Sequence, residues 1–453
     1  MNAERRNGAR EPIRLSDHFS YGRLIRFTMP TIIMMIFTSI YGVVDGLFVS
    51  NVVGKTEFAA LNFVFPFIMV LGGAGFMIGT GGTALVAQQL GQGNKQKANH
   101  TFTTMVSFTI FLGVILTAIG IAVIRPVCVL LGATPEMIEG CVVYGRVTIA
   151  FTAAFMLQNV FQSFFVTAEK PHLGLYVVIA AGVTNMVLDF LFVGILGFGL
   201  AGAALATVCG EFIGGLFPIF YFTRKNSSLL RLGKTHWNGH VLLQTCINGS
   251  SELMTNLSSS IMNSLYNIQL MKFAGENGVA AYGTMMYINF IFLAIFFGYS
   301  IGSAPVISYH YGAGNQDELK NLFRKSLCLI GTWGIMLALL SQLLAAPLSK
   351  LFVGYDAELF AMTEHGFRIY CLAYLINGFN IFGSSFFTAL NNGVISAAIS
   401  FLRTLVFQII MILLLPTLLG INGIWSAVGI AELMTLCVTI TFFIKQRKKY
   451  HYV

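Results

Sequence analysis

Long apolar stretches alternate with short polar segments along the whole chain, and most charged residues lie in the polar segments. A helix needs roughly 20 apolar residues to cross the hydrocarbon of a bilayer. Residues 369–402 contain no charge, and the turn at Asn391-Asn392-Gly393 divides them into two such helices. The whole pattern predicts twelve transmembrane spans, numbered here in chain order: 24–49, 58–80, 102–124, 142–166, 172–196, 199–222, 241–266, 279–303, 326–349, 368–390, 394–418 and 423–444.

Composition sharpens this picture, because 56% of the 453 residues are hydrophobic and only 10% are charged. Soluble domains carry about 25% charged residues. So few charges exclude a soluble enzyme, a disordered protein and a secreted disulfide scaffold. The net charge of +9 is typical of Lys and Arg placed beside a bilayer, and we expect no nucleic-acid partner. The sequence therefore predicts an all-α polytopic membrane protein.

Basic residues are distributed unequally between the two sides of the predicted membrane protein. Twenty of the 27 Lys and Arg residues lie in the N-terminal segment and the start of span 1, in the loops after even-numbered spans or in the C-terminal tail. Six lie on the opposite side, and Arg403 lies inside span 11. Loops rich in Lys and Arg stay in the cytoplasm. We therefore expect a multi-pass protein of the plasma (inner) membrane with both termini in the cytoplasm.

The two halves of the chain resemble each other at an offset of about 221 residues. Gly91-Gln92-Gly93-Asn94 aligns with Gly312-Ala313-Gly314-Asn315, and Glu211 aligns with Glu432. Six spans in each half predict a parallel repeat, with a pseudo-two-fold axis along the membrane normal, as in transporters that rock two lobes around a central site. The predicted parts are an N-terminal segment (1–23), an N-lobe (24–222), a linker (223–240), a C-lobe (241–444) and a basic tail (445–453).

Ionisable residues inside the membrane are costly and usually functional. Three spans of the N-lobe place Asp45, Asp189 and Thr207 at similar depths, roughly 9–12 Å below one end, at a rise of 1.5 Å per residue. Residues four apart share a helix face, which groups Tyr41 with Asp45 and Asn185 with Asp189. The sequence thus predicts one polar cluster within the N-lobe.

Two chemistries suit this N-lobe cluster. Burial and like charge favour protonation of paired carboxylates, which predicts a proton site. Carboxylate, amide and hydroxyl oxygens also suit a hard cation, which predicts Na⁺ at Asp45, Asn185, Asp189 and Thr207. Hydrogen bonding between helices is the alternative without a transport role. Composition does not decide among these readings.

The C-lobe offers a second set of buried charges. Glu252 lies near the middle of span 7, and Arg403 is comparably deep in span 11. A Glu252–Arg403 or a Glu432–Arg403 pair would neutralise both charges, while the alternatives are recognition of a cationic substrate or ion coupling. Glu211 and Glu432 occupy duplicate positions, which favours a shared scaffold role for these two acids.

Several motifs resemble the bacterial-type multidrug and toxic compound extrusion (MATE) family. The end of span 1 reads Val44-Asp45-Gly46-Leu47-Phe48-Val49-Ser50, similar to the family's V-D-x-x-F-V-G. The loop after span 2 reads Ala87-Gln88-Gln89-Leu90-Gly91-Gln92-Gly93-Asn94, and span 6 begins Gly199-Leu200-Ala201-Gly202-Ala203-Ala204-Leu205-Ala206-Thr207. The resemblance extends from about residue 15 to 445.

This resemblance implies two six-helix lobes around a cavity and the export of organic cations in exchange for H⁺ or Na⁺. It also implies that Asp45, Asn185, Asp189 and Thr207 form the N-lobe ion site. Some members of the family use a span 7 Glu with a span 10 Asp in the C-lobe. Glu252 matches the first, but span 10 offers only Asn377 and Asn380, which favours the N-lobe site.

Other functions lack the residues that they need. A flippase of lipid-linked saccharides would hold pyrophosphate with cavity Lys and Arg, and only Arg403 is available. A major facilitator would carry an acidic, Arg-rich motif after span 2, which the chain lacks. A membrane-embedded enzyme would need a group of His or acidic residues near an interface, and the eight histidines are isolated and mostly in loops. No Gly-Lys-Ser/Thr follows its glycine runs. We therefore expect a monomeric transporter in the bilayer, with no cofactor or nucleotide besides the coupling ion.

Overall fold

The structure, a computed structural model, consists of helices joined by short connections, with no strand among the residues that it describes. Those residues are 12–48, 52–130, 133–234 and 236–453. Arg5, Arg6 and Arg10 of the predicted N-terminal segment lie outside them.

The helices follow the predicted spans. Ten helices of the described part are long and apolar enough to cross a membrane, and one bent pair raises this number to eleven. In order they are Tyr21–Phe48, Lys55–Gly91, Lys95–Leu130, the bent pair Pro135–Ala150 and Thr152–Thr167 (span 4), Pro171–Ile195, Gly199–Thr223, Gly239–Gly312, Gln316–Val353, Ala357–Ala389, Gly393–Leu419 and Ile421–Tyr450.

Gly239–Gly312 contains spans 7 and 8, because its 74 residues would extend about 110 Å as one helix. The backbone turns at Gly275, which has a φ of 61°, a left-handed value that glycine adopts without strain. Tyr266 and Tyr282 lie on opposite sides of this turn, and their rings stack with centroids 5.0 Å apart. The chain therefore folds back at Gly275. Twelve spans result, which confirms the predicted fold.

Each lobe has an aromatic core of its own. In the N-lobe, the Phe102 ring lies 4.8 Å from the ring of Phe164 and 5.1 Å from that of Phe222. In the C-lobe, Phe323 lies 5.0 Å from both Phe386 and Phe443. Each of these two aromatic clusters draws on spans of one half only.

Both described ends of the chain lie at one face of the molecule, which we call the terminal face. Phe19 contacts the His310 ring at the end of span 8, with centroids 6.4 Å apart. Tyr452 of the tail packs against Phe323 near the start of span 9, at 4.9 Å. An even number of spans brings the two ends to the same side.

Residues 12–20 form an N-terminal strap across the terminal face. The backbone N–H of Leu15 donates to Glu169 Oε1 of the N-lobe at 2.6 Å. Three residues later, His18 Nδ1 lies 2.5 Å from Glu318 Oε2 of the C-lobe, and the Phe19 N–H donates to Glu318 Oε1 at 2.9 Å. Leu15 and Phe19 are fully buried, so the strap connects the two lobes.

The lobes also touch directly near the terminal face. Backbone carbonyl oxygens of Met77 and Gln88 in span 2 lie against Gly249 of span 7 and Gly312 of span 8. Beside them, Asn391 Nδ2 donates to Gln88 Oε1 at 2.5 Å. Glycine permits this approach because it has no Cβ. The closest contacts between the lobes therefore lie in the terminal half of the molecule.

Candidate functional site

The structure brings the predicted N-lobe residues together. The carboxyl group of Asp45 in span 1 contacts that of Asp189 in span 5. Asn185 Nδ2 donates to Thr207 Oγ1 of span 6 over 3.5 Å. Span 5 widens into a π-helical turn, Phe190–Ile195, directly after Asp189; such turns are frequent at functional sites. The four side chains thus form one cluster, whose role remains a prediction.

This cluster is rich in buried acceptors that lack donors. Asn185 and Asp189 are 3% and 1% exposed. Asp45 Oδ1, Asn185 Oδ1 and both carboxylate oxygens of Asp189 have no hydrogen-bond partner. An unsatisfied buried group costs about 1–3 kcal/mol, and more when it is charged. The cluster is therefore suited to a species that brings positive charge, either a proton or a metal cation.

The donor set constrains which cation could be held. No group of three or more His, Cys, Asp or Glu side chains in the described residues could bind a metal ion. A cation at this cluster would rely on the oxygens of Asn185 and Thr207 in addition to the two carboxylates. Hard cations such as Ca²⁺ take six to eight oxygens, so these four residues fit a cation of lower charge better.

Tyr41 lies on the side of the cluster that is nearer the terminal face, one helical turn from Asp45. Its side chain contacts Gln158 of span 4. The grouping of Tyr41 with Asp45 stays a prediction.

Sequence reasoning missed Tyr144 of span 4. Its side chain is 3% exposed and contacts Thr207 of the predicted cluster. A tyrosine in an apolar run is common in membrane spans, and its rotation toward a neighbouring helix is not readable from one sequence. Its polar hydroxyl group within an apolar span was the only feature of the sequence that could have indicated a place in the cluster.

The duplicate acids Glu211 and Glu432 have different surroundings. Glu432 is paired: Arg403 Nε donates to its Oε1 at 2.8 Å, and Asn380 Nδ2 donates to its Oε2 at 2.7 Å. Thr439 Oγ1 in turn donates to Asn380 Oδ1 at 2.9 Å. Glu211 Oε2 is buried without a partner. Of the two pairs considered for Arg403, the one with Glu432 forms, and the expected common scaffold role of the two acids does not fit their contacts.

Glu252 lines a cavity between the lobes. Arg403 lines the same cavity, but its hydrogen-bond partner is Glu432. Hydroxyl side chains are frequent in the lining of this cavity. They come from both lobes and lie beside Glu252 and Arg403. The hydroxyl-bearing residues are Thr80, Thr83, Ser163, Thr255, Ser300, Ser384, Ser385, Thr388 and Ser400. A carboxylate among hydroxyl groups suits a positively charged guest.

Comparisons with known proteins agree with this architecture. The family model described as MatE matches residues 30–191 and again residues 253–414. "Multidrug export protein MepA" of Staphylococcus saprophyticus is 21% identical over 421 residues, covering 92% of this chain and 90% of that protein. The protein of the same name from Staphylococcus haemolyticus is 23% identical over 425 residues, covering 93% and 92%.

Solved structures share the fold. "Crystal structure of MATE in complex with MaL6" superposes with a TM-score of 0.90 at 22% identity, covering 96% of this chain and 98% of that one. Each half of the chain matches the same family model, as expected of two lobes that arose by duplication. Because these matches span well over half of the sequence, the chain belongs to the MatE family of multi-pass membrane transporters.

Proposed function

We propose that the protein is a secondary active antiporter that exports amphipathic organic cations in exchange for H⁺ or Na⁺. The buried N-lobe oxygens of Asp45 and Asp189 that lack donors carry this proposal. The names of the Staphylococcus relatives, which are multidrug export proteins, support the substrate class. As a MatE-family transporter, the protein is not an enzyme.

The terminal face is the cytoplasmic face in this proposal. Lys and Arg are concentrated there, and such loops remain in the cytoplasm. A cation enters the cavity from the cytoplasm or the inner leaflet, and Glu252 attracts it. The lobes then rock so that the cavity opens on the opposite side of the plasma membrane.

Ion binding in the N-lobe supplies the driving force. H⁺ or Na⁺ arriving from outside neutralises the Asp45–Asp189 pair and satisfies its unpartnered oxygens. This change of charge alters the packing of spans 1 and 5, weakens drug binding and favours outward release. The ion leaves toward the cytoplasm as the lobes return.

The C-lobe is the weaker candidate for ion coupling. Glu432 already receives hydrogen bonds from Arg403 and Asn380, so its charge needs no external cation. A flippase of lipid-linked saccharides would need free bases for pyrophosphate. Arg403 is the one base among the residues that line the interlobe cavity, and it is paired.

The test is efflux of a fluorescent organic cation from proteoliposomes under an imposed H⁺ or Na⁺ gradient. We expect Asp45→Asn and Asp189→Asn to abolish gradient-driven efflux, because each removes one of the paired charges. Glu276→Gln, which removes an exposed acid at the turn between spans 7 and 8, is the matched control. Wild-type rates in both aspartate variants would refute the proposed coupling site.

A further inference from the structure

A second cavity lies between the start of span 3 and the end of the linker, and we call it the linker cavity. Its volume of about 380 Å³ falls within the range of roughly 300–1,000 Å³ that is usual for ligand pockets. Nearly all of its lining side chains carry hydrogen-bonding groups. The lining residues are Asn94, Gln96, Lys97, His100, Thr101, Thr104, His236, Asn238 and Val241.

The lining of the linker cavity is basic, and it contains no acid among the described residues. Lys97 of span 3 carries a positive charge and belongs to none of the ion pairs in the described part of the chain. The imidazole rings of His100 and His236 each have an N–H in either protonation state. Thr101, which is 4% exposed, adds a hydroxyl group. This set of charges and donors suits an anion.

The duplication shows how the corresponding place in the C-lobe is filled. At the offset of 221 residues, the end of the linker corresponds to the N-terminal strap, and the start of span 3 corresponds to the start of span 9. The Phe19 N–H of the strap donates to Glu318 Oε1 of span 9 at 2.9 Å. The Phe19 carbonyl oxygen accepts from Asn321 and Lys325 over 3.0 Å and 2.7 Å. The strap backbone thus satisfies the polar side chains of span 9.

The N-lobe copy of this place has the opposite charge and is open. Lys97 occupies the position of Glu318, so a base replaces the acid that holds the strap. Phe19, which is fully buried, corresponds to His240, which is exposed. The linker therefore leaves open the space that the strap fills in the C-lobe. Since the chain itself satisfies only the C-lobe copy, the N-lobe copy is suited to an occupant of negative charge.

The linker beside this cavity is fixed to span 3 at a surface that faces lipid. The Arg231 N–H donates to Asn99 Oδ1 at 2.9 Å. The Trp237 ring lies 5.0 Å from the ring of Phe111, which is 49% exposed. Tryptophan prefers the headgroup level of a bilayer, so Trp237 places the linker cavity near the lipid phosphates. Basic pockets on the cytoplasmic side of membrane proteins bind lipid headgroups.

We propose that the linker cavity binds a phosphate group. Lys97 supplies a charge-assisted hydrogen bond, a strong type of contact with phosphate, and His100 and His236 supply N–H donors. The phosphate of an anionic lipid reaches the cavity from the bilayer, and inorganic phosphate reaches it from water. In either case the anion joins span 3 of the N-lobe to the linker that leads into the C-lobe. This site is separate from the N-lobe cluster and does not depend on the coupling ion.

Two probes test the site by isothermal titration calorimetry of the full chain in a neutral detergent. One probe is inorganic phosphate, and the other is a short-chain phosphatidylglycerol, compared with phosphatidylcholine as a lipid without net charge. We expect Lys97→Gln combined with His236→Gln to weaken binding at least ten-fold. Lys95→Gln, which removes an exposed lysine outside the cavity lining, should keep the affinity within two-fold. Binding of phosphatidylglycerol alone assigns the lipid source, and binding of inorganic phosphate assigns the soluble one.

Two further variants separate charge from structure at the same position. Lys97→Arg keeps the positive charge and should bind within three-fold of wild type, whereas Lys97→Glu introduces the acid of the C-lobe copy and should abolish binding. Failure of both probes to bind would overturn the proposal, as would equal binding of phosphatidylcholine and phosphatidylglycerol without binding of inorganic phosphate. Equal losses in Lys95→Gln and the double variant would indicate general surface attraction and also overturn it. If the double variant does not fold, equal affinities of Lys97→Arg and Lys97→Glu overturn it, and so does failure of all Lys97 variants to fold.

Discussion

The backbone of Gly249 in span 7 lies directly against the carbonyl oxygen of Met77 in span 2, leaving no room for a Cβ. The reciprocal contact is that of Gly81 in span 2 with the carbonyl oxygen of Thr245 in span 7. These two helices belong to different lobes. Any movement that opens the terminal face has to separate spans 2 and 7. The distance between these two spans therefore indicates whether the terminal face is closed or open.

A side chain at position 249 should therefore disfavour closure of the terminal face. Overpacking of a tight contact costs about 1–3 kcal/mol, which corresponds to a change of about 5-fold to 150-fold in a conformational equilibrium. We expect Gly249→Leu to shift the lobes toward separation, measured as the distance between spin labels on spans 2 and 7.

Gly429 provides the matched control for this experiment. It lies within the span 12 helix, and a Cβ there would meet nothing within 4 Å. Gly429→Ala should leave the interlobe distance unchanged. An unchanged distance distribution in Gly249→Leu as well would show that the contact does not control the terminal face.

The N-terminal strap should stabilise the same closed arrangement. Phe19 is fully buried, and removal of a buried Phe costs about 3–5 kcal/mol in protein cores. We expect Phe19→Ala to release the strap and to increase hydrogen exchange at the Leu15 amide, which now donates to Glu169. Tyr21→Ala, at a position that is 45% exposed, is the control. Equal protection of Leu15 in both variants would contradict a stabilising role for Phe19.

Glu169 should make the stability of the strap depend on pH. It lies between spans 4 and 5, and burial raises the pKa of its carboxyl group, although the bond from Leu15 acts in the opposite direction. A folded state with the higher pKa binds more protons than the unfolded state. The contribution of Glu169 to stability is therefore greatest at low pH and declines as pH rises above about 4, the usual value for Glu.

Glu169→Gln tests this sign, because glutamine keeps an acceptor for the Leu15 N–H but cannot ionise. The melting temperature of the variant in detergent should rise relative to wild type as the pH increases from acidic to neutral. Glu136→Gln, at an exposed position, should follow wild type at every pH. A constant difference between Glu169→Gln and wild type would show that ionisation of Glu169 is not involved.

The sequence predicted the depth of the site residues better than their partners. Hydropathy placed the spans, and the helical rise placed Asp45, Asp189 and Thr207 at one level, because both properties depend on local sequence alone. Partner choice depends on how each helix rotates and which helix lies beside it. For this reason, only the structure shows that Tyr144 contacts Thr207 and that Arg403 pairs with Glu432.

The contacts of the strap and the difference between the two lobes were also not predictable from the sequence. Residues 12–20 have no long apolar run, so nothing in their pattern indicated that Leu15 and Phe19 would be fully buried. Duplicate sequence positions suggested one role for Glu211 and Glu432. Arg403 donates to Glu432 whereas Glu211 Oε2 is buried without a partner, a difference that an alignment of the acids alone does not reveal.

This difference between the lobes predicts opposite responses to loss of the acid. Glu432→Gln would leave Arg403 buried with an unneutralised charge, and breaking a buried ion pair in this way costs about 3–5 kcal/mol. Removing both charges by Arg403→Met with Glu432→Gln should restore much of that stability, because two well-packed neutral residues often replace a buried pair without loss. Glu211→Gln leaves no base unpaired and should unfold at or above the wild-type temperature.

The measurement is thermal unfolding, in one detergent, of the wild type, Glu432→Gln, Glu211→Gln and the Arg403→Met/Glu432→Gln double variant. Equal stability of Glu432→Gln and the double variant would show that the unpaired Arg403 charge does not destabilise the C-lobe.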